Sequence, residues 1–126
     1  MPFGQQGGAY LTKQPQPEAP YNVLTTSDAF IQPALTGTAV YWIAKATAAA
    51  VTLAPASSVP VGTVVIFQAG TAVAHVVTAQ SGGIFDGTTG AKTKWTAAAF
   101  IGSSITLMSA PNGGWSVLAQ QAGTVA

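Results

Sequence analysis

Gly62-Thr63-Val64-Val65-Ile66-Phe67-Gln68, then Ala69-Gly70-Thr71, then Ala72-Val73-Ala74-His75-Val76-Val77-Thr78 is the stretch that decides how this chain folds. β-Branched and aromatic side chains dominate it, and such residues fit a pleated, half-buried surface better than a helix. The short Gly-containing link suits a hairpin, which predicts two antiparallel strands at residues 62–68 and 72–78. Residues 64–67 are apolar on both faces. A strand with one wet face alternates, so this run predicts a strand covered twice, by its own core and by a neighbour.

The same texture extends in both directions. Residues 38–44 (TAVYWIA) and 50–53 (AVTL) precede the stretch as short strands, and residues 84–86 follow as a brief one ended by Asp86-Gly87 and Thr88-Thr89-Gly90. Residues 100–109 and 115–120 form a last pair across Pro111-Asn112-Gly113-Gly114, where Asn-Gly-Gly supplies the positive φ of a tight reversal. Ala-rich residues 43–51 carry helix propensity, but their Thr and Val content and short length argue against a helix. No internal repeat of roughly 20 to 50 residues stands out. The expectation is an all-β domain at residues 37–126, a small antiparallel β-sandwich or barrel.

Residues 1–36 read differently. Gly4, Gly7, Gly8, Pro15, Pro17, Pro20 and Pro33 are spread among Gln and Thr with no sustained period, which predicts an extended N-terminal arm. Large apolar residues punctuate it, and Phe3, Tyr10, Leu11 and Tyr21 are the expected anchors for a docking surface. Prolines 15, 17 and 20 hold the chain near extended geometry, so ordering it on a partner costs less entropy than ordering a Gly/Ser tail. Twenty extended residues span roughly 65 Å, enough to reach beyond one subunit.

Charge is nearly absent: four Lys+Arg and three Asp+Glu in 126 residues, 6% of the chain, against roughly 25% in an ordinary domain. A surface made of Thr, Ser, Gln and Gly tolerates close neighbours, which points to a homo-oligomer or larger assembly. A net charge of +1 leaves no basic footprint for nucleic acid. Every hydrophobic stretch is interrupted well short of a spanning helix, so no membrane role is expected. Met1-Pro2-Phe3-Gly4-Gln5-Gln6 has neither a basic start nor an apolar core, which predicts synthesis in the cytoplasm.

Site chemistry is sparse. His75 is the single histidine, and within a strand pattern it reads as a structural hydrogen-bonding residue. Ser and Thr are plentiful, but no nucleophile elbow organises them, and Glu18, Asp28 and Asp86 are the only acids. No catalytic residue, metal site or cofactor site is expected, and no enzyme activity. Without cysteine there is neither disulfide nor thiolate ligand. Trp42 and Trp115 lie inside strand patterns and read as core, whereas Trp95, between Lys94 and Thr96, is the aromatic expected to be exposed at an interface.

Several segments together, Pro60-Val61-Gly62-Thr63-Val64-Val65-Ile66-Phe67, Ala69-Gly70, Val76-Val77-Thr78-Ala79, Gly83-Ile84-Phe85-Asp86-Gly87, Ile105-Thr106-Leu107-Met108 and Gly114-Trp115-Ser116-Val117-Leu118, give roughly half the chain a familiar order. It resembles β-rich virion proteins of tailed bacteriophages, and most of all a capsid decoration (cement) protein. The resemblance implies a homotrimeric, non-enzymatic structural protein on the capsid surface of a virion, with the major capsid protein as partner. Its arm would strap neighbouring capsid subunits together. The alternative is a receptor- or glycan-binding module of a tail fibre or head fibre, carried by residues 88–96 and centred on Trp95. The lead of 36 residues has no heptads of the kind that precede a fibre module, which favours decoration.

Overall fold

Short β-rich runs bounded by Gly, Pro and Ser turns become eleven strands in the computed structural model, which describes residues 21–27, 29–33 and 37–126. Six of them, β1 (Tyr21–Leu24), β3 (Thr38–Ile43), β5 (Val64–Ala69), β7 (Ile84–Phe85), β9 (Ser104–Ser109) and β10 (Trp115–Gln121), form sheet 1 in the order β1-β3-β5-β9-β10-β7. The other five, β2 (Ala29–Ile31), β4 (Ala50–Leu53), β6 (Val76–Ala79), β8 (Lys94–Thr96) and β11 (Thr124–Val125), form sheet 2 in the order β11-β8-β6-β4-β2. The two sheets pack into a β-sandwich, so the expected all-β class holds. Val65, Phe67, Ile105, Leu107 and Trp115 of sheet 1 are fully buried against Leu53, Val77 and Trp95 of sheet 2.

The pairing differs from the expectation at its centre. Residues 62–68 and 72–78 do not form a hairpin: β5 lies in sheet 1 and β6 in sheet 2. Residues 70–75 instead carry the chain from one layer to the other. Gly70 donates its N–H to Ile43 O at 2.8 Å, and Val76 donates to Ala49 O at 2.9 Å, so both ends of the crossing bond to the preceding turn of chain. Gly70 has no positive φ, unlike the glycines that make reversals here. Its lack of a side chain serves close approach, because a Cβ there would lie 2.3 Å from Trp42 Nε1.

Strands alternate between the sheets throughout the first half, and each pairs in parallel with the strand one winding away. Tyr21 pairs with Val40 and Val40 with Ile66 in sheet 1, while Ala29 pairs with Val51 and Val51 with Val77 in sheet 2. Residues 21–79 are therefore a short solenoid of turns of roughly 19 to 26 residues, a repeat hidden in the sequence by unequal connections. The second half closes both sheets with antiparallel strands, and β7 joins sheet 1 by pairing in parallel with β10. β9 pairs with β5 and β10, and β8 pairs with β6 and β11. The β9–β10 hairpin is the one read across Pro111-Asn112-Gly113-Gly114, and a bulge at Leu118 interrupts it.

This topology moves the expected domain boundary. β1 and β2 fall within the segment read as an arm, yet each is paired into one of the two sheets, β1 with β3 and β2 with β4. Tyr21, one of the expected anchors, is the first residue of β1. Phe3, Tyr10 and Leu11 lie outside the described residues.

Buried polar groups hold the crossings. His75 Nδ1 accepts the Ala49 N–H at 3.0 Å, which leaves the ring proton on Nε2, facing Thr71 Oγ1 at 2.8 Å; Thr71 in turn donates to Lys45 O. The lone histidine thus ties two successive crossings, residues 44–49 and 70–75, and has the structural role expected of it. Burial first, and Lys45 second, hold its imidazole below the usual histidine range and neutral. At the other end Ser109 Oγ donates to Pro60 O at 2.6 Å and accepts the Thr63 N–H at 3.0 Å.

Two outcomes follow from these contacts. Trp115 donates its indole N–H to Ala54 O at 2.9 Å, whereas Trp95 Nε1 has no partner among the described residues. Trp115→Phe therefore costs about 1 to 3 kcal/mol more than Trp95→Phe in urea unfolding, because only the first leaves a buried carbonyl unpaired. Lowering pH weakens the fold through His75, since the unfolded chain gains a proton near its ordinary pKa of about 6.5 that the folded ring resists. This contribution is complete above that value and is lost as pH falls towards the depressed folded pKa. Urea midpoints measured from pH 8 to pH 5 should fall for the parent and flatten for His75→Gln.

Candidate functional site

The outward faces of the two sheets have different chemistry, and that difference locates the candidate site. In sheet 2 the outward rows run Phe30-Thr52-Thr78-Lys94 and Ala50-Val76-Thr96-Thr124, a threonine-rich surface with a lysine. In sheet 1 they begin Tyr21-Val40-Ile66, Val23-Trp42-Gln68 and Thr38-Val64-Met108. None of the six strands of sheet 1 contains Asp, Glu, Lys or Arg.

Local sequence produces this face directly. β3 and β5 sit inside the sheet, and their inward residues Ala39, Tyr41, Ile43, Val65, Phe67 and Ala69 supply the core. Tyr41 and Phe67 stack with ring centroids 5.4 Å apart. Alternation then turns Val40, Trp42, Val64 and Ile66 outward, where they are half-buried by their strand neighbours. Trp42, read as core, lies on this outer face with its ring over Gly70. The double apolar character of residues 64–67 has one cover in the structure, the core; Val64 and Ile66 point away from sheet 2.

A second apolar feature projects from the end of the sandwich where β5 finishes. Phe100 and Ile101 are 71% and 64% exposed, adjacent in a turn closed by Ser103 N–H to Phe100 O at 3.2 Å. Gly102 holds φ +95° in that turn, a conformation that glycine adopts without strain. Ser103 Oγ accepts the Ala98 N–H at 3.0 Å, and Gly102 donates to Ala69 O at 2.8 Å, so the tip is anchored rather than loose. Sequence reading placed residues 100–103 in a strand; the Gly102-Ser103 pair was the signal for a turn.

Trp95, expected to be exposed, is fully buried in the core on β8. Its neighbours Lys94 and Thr96 alternate outward, and Gly123 at φ +89° closes over the indole so tightly that a Cβ would lie 2.6 Å from Nε1. The strand Lys94–Thr96 is short and its pairing partners, β6 and β11, lie elsewhere in the sequence, so local composition does not announce it.

Polar chemistry is confined and self-satisfied. Asp86 accepts the Thr88 hydroxyl at 2.6 Å and the Thr88 N–H at 3.0 Å, with Lys92 Nζ at 3.5 Å. The Thr88 hydroxyl above all, then its backbone N–H and the lysine, hold this carboxyl below its usual range. Lys92 also donates to Thr88 Oγ1 and Thr89 O, so the cluster is a closed turn. No group of three or more His, Asp or Glu capable of holding a metal comes together among the described residues. The arrangement fits surface contact by apolar side chains and backbone. Compared with known proteins, the chain matches no family model and no curated sequence.

Proposed function

We propose that the chain is a non-enzymatic structural protein of a tailed-bacteriophage virion, a capsid decoration protein that binds the major capsid lattice as a homotrimer. The observation that carries this reading is the charge-free outer face of sheet 1 beside the threonine-rich face of sheet 2. A protein dispersed on its own carries mixed charge over both faces, whereas a tile in a shell leaves one face for its neighbours. Covering Val40, Val64 and Ile66 would supply on the order of 1 kcal/mol each, and three copies acting together turn weak contacts into durable ones. That face carries no charge, so attachment is insensitive to salt.

A receptor- or glycan-binding module is the second reading. With Trp95 buried it loses its proposed centre, and the exposed pair Phe100 and Ile101 is what remains to serve it.

The mass of the purified chain in solution is expected to be that of a trimer. Ile66→Lys on the outer face of sheet 1 should yield folded monomer, while Thr78→Lys on the outer face of sheet 2 leaves the mass unchanged. A parent monomer, or a trimer indifferent to Ile66→Lys, would remove this face from the mechanism. Antibody labelling of phage particles carrying the protein should decorate the head; label confined to tail tips would favour the fibre reading.

A further inference from the structure

The turn between β9 and β10 brings a side-chain carboxamide against a peptide nitrogen. Ala110 donates its N–H to Gly114 O at 2.9 Å, and Gly113 donates to Ala110 O at 3.1 Å, so residues 110–114 form a closed reversal with Pro111 and Asn112 exposed at its tip. Asn112 Oδ1 accepts the Gly114 N–H at 3.0 Å. That bond folds the carboxamide back along the chain, beside the Gly113 nitrogen. It also sets a backbone donor on the oxygen that gains charge if the carboxamide carbon is attacked. Gly113, at φ +83°, has no side chain to crowd such an attack, and the nearest atom to a Cβ placed there is Ser57 Cβ at 4.0 Å.

We infer that Asn112 is a site of spontaneous deamidation, with Gly113 as the internal nucleophile. The Gly113 nitrogen gives its proton to solvent base and attacks Asn112 Cγ; the new C–N bond closes a five-membered imide, the Cγ–Nδ2 bond breaks, and ammonia leaves with a proton from water. Water then opens the imide at either carbonyl, leaving aspartate or isoaspartate at position 112. No electrons are exchanged, and water is the only co-reactant. The bond to Ala110 O holds the nucleophile's proton, so the reaction waits on opening of the tip, a motion that an exposed turn makes without global unfolding.

The structure selects this residue over its rivals. Among the described residues, Asn22 and Asp86 are the other side chains able to close the same ring. Asn22 is half-buried within β1, in register with Tyr41, and is followed by the β-branched Val23. Asp86 precedes Gly87, but its carboxylate is held ionised by the Thr88 hydroxyl and N–H and by Lys92, and a carboxylate offers no leaving group until it is protonated. Deamidation replaces a neutral amide by a carboxylate and takes the formal net charge of the chain from +1 to zero. The new charge stands at the end of the sandwich opposite Phe100 and Ile101, since β9 runs from one end to the other. The isoaspartate form also lengthens the backbone of a turn that fits its neighbour closely, for a Cβ on Gly82 would lie 2.1 Å from Gly113 O. None of this rests on the virion reading.

The test is to keep the full-length protein warm in mildly alkaline buffer for weeks, following it by isoelectric focusing and by peptide mapping with mass spectrometry. A more acidic species should accumulate, with the mass gain of an amide turned into an acid confined to the peptide that contains Asn112 and divided between aspartate and isoaspartate. Asn112 should lose its amide at least about 10-fold faster than Asn22. Asn112→Gln, which closes the larger ring poorly, should remain a single species over the same period. A parent that stays unmodified, comparable loss at the two asparagines, or the same acidic species from Asn112→Gln would each overturn the inference.

Discussion

Two strands that leave one turn of chain into opposite sheets cannot hydrogen-bond to each other, so each must find its partner in the turn before or after. That constraint organises the first half of the molecule. β3 depends on β1 and β5, and β4 depends on β2 and β6, with residues aligned in register across three layers. The crossings between layers must then be tied down by something other than a ladder. His75, Thr71 and the Ala49 amide do this at one end, and Ser109, Thr63 and Pro60 at the other. His75, Ala49, Ser109 and Thr63 are buried, where an unmatched donor or acceptor would cost more than the bond contributes.

Strand identity was legible because it depends on local composition. Residues 38–44, 50–53, 62–68 and 115–120 become strands close to the expected bounds, and Asn112-Gly113 turns as its sequence requires. The β9–β10 pairing was legible in its Asn-Gly-Gly turn, but that of residues 62–68 was not, because Ala69-Gly70-Thr71 has the composition of a hairpin turn while its glycine is used for contact with Trp42, a residue of the previous winding. β1, β2 and β8 were missed for a related reason: each is short, and long-range partners rather than local propensity stabilise it. The candidate surface was half legible. Residues 64–67 announced two apolar faces, but which neighbours share the outer one follows only from register. Trp95 failed because alternation around a single buried aromatic, Lys94-Trp95-Thr96, carries too few residues to declare a period.

The scarcity of ions gains meaning from where the few described ones sit. Lys45 lies in a crossing, Asp86 and Lys92 close one turn, and Lys94 stands on sheet 2. The strands of sheet 1 are left with uncharged groups alone: hydroxyls, amides, and aliphatic and aromatic side chains. Such a surface makes few enemies among neighbours of either sign, and it binds by fit rather than by field.

Progressive winding has a consequence for how the chain reaches this state. Each parallel pair among β1 to β6 joins segments separated by a single turn, so these strands can be laid down in the order in which a ribosome releases them. β8 and β9 arrive afterwards and seal the strands left bare on the growing front. Until they do, β5 and β6 present their backbones to the cell, and the hazard of mispairing is greatest at that moment in synthesis.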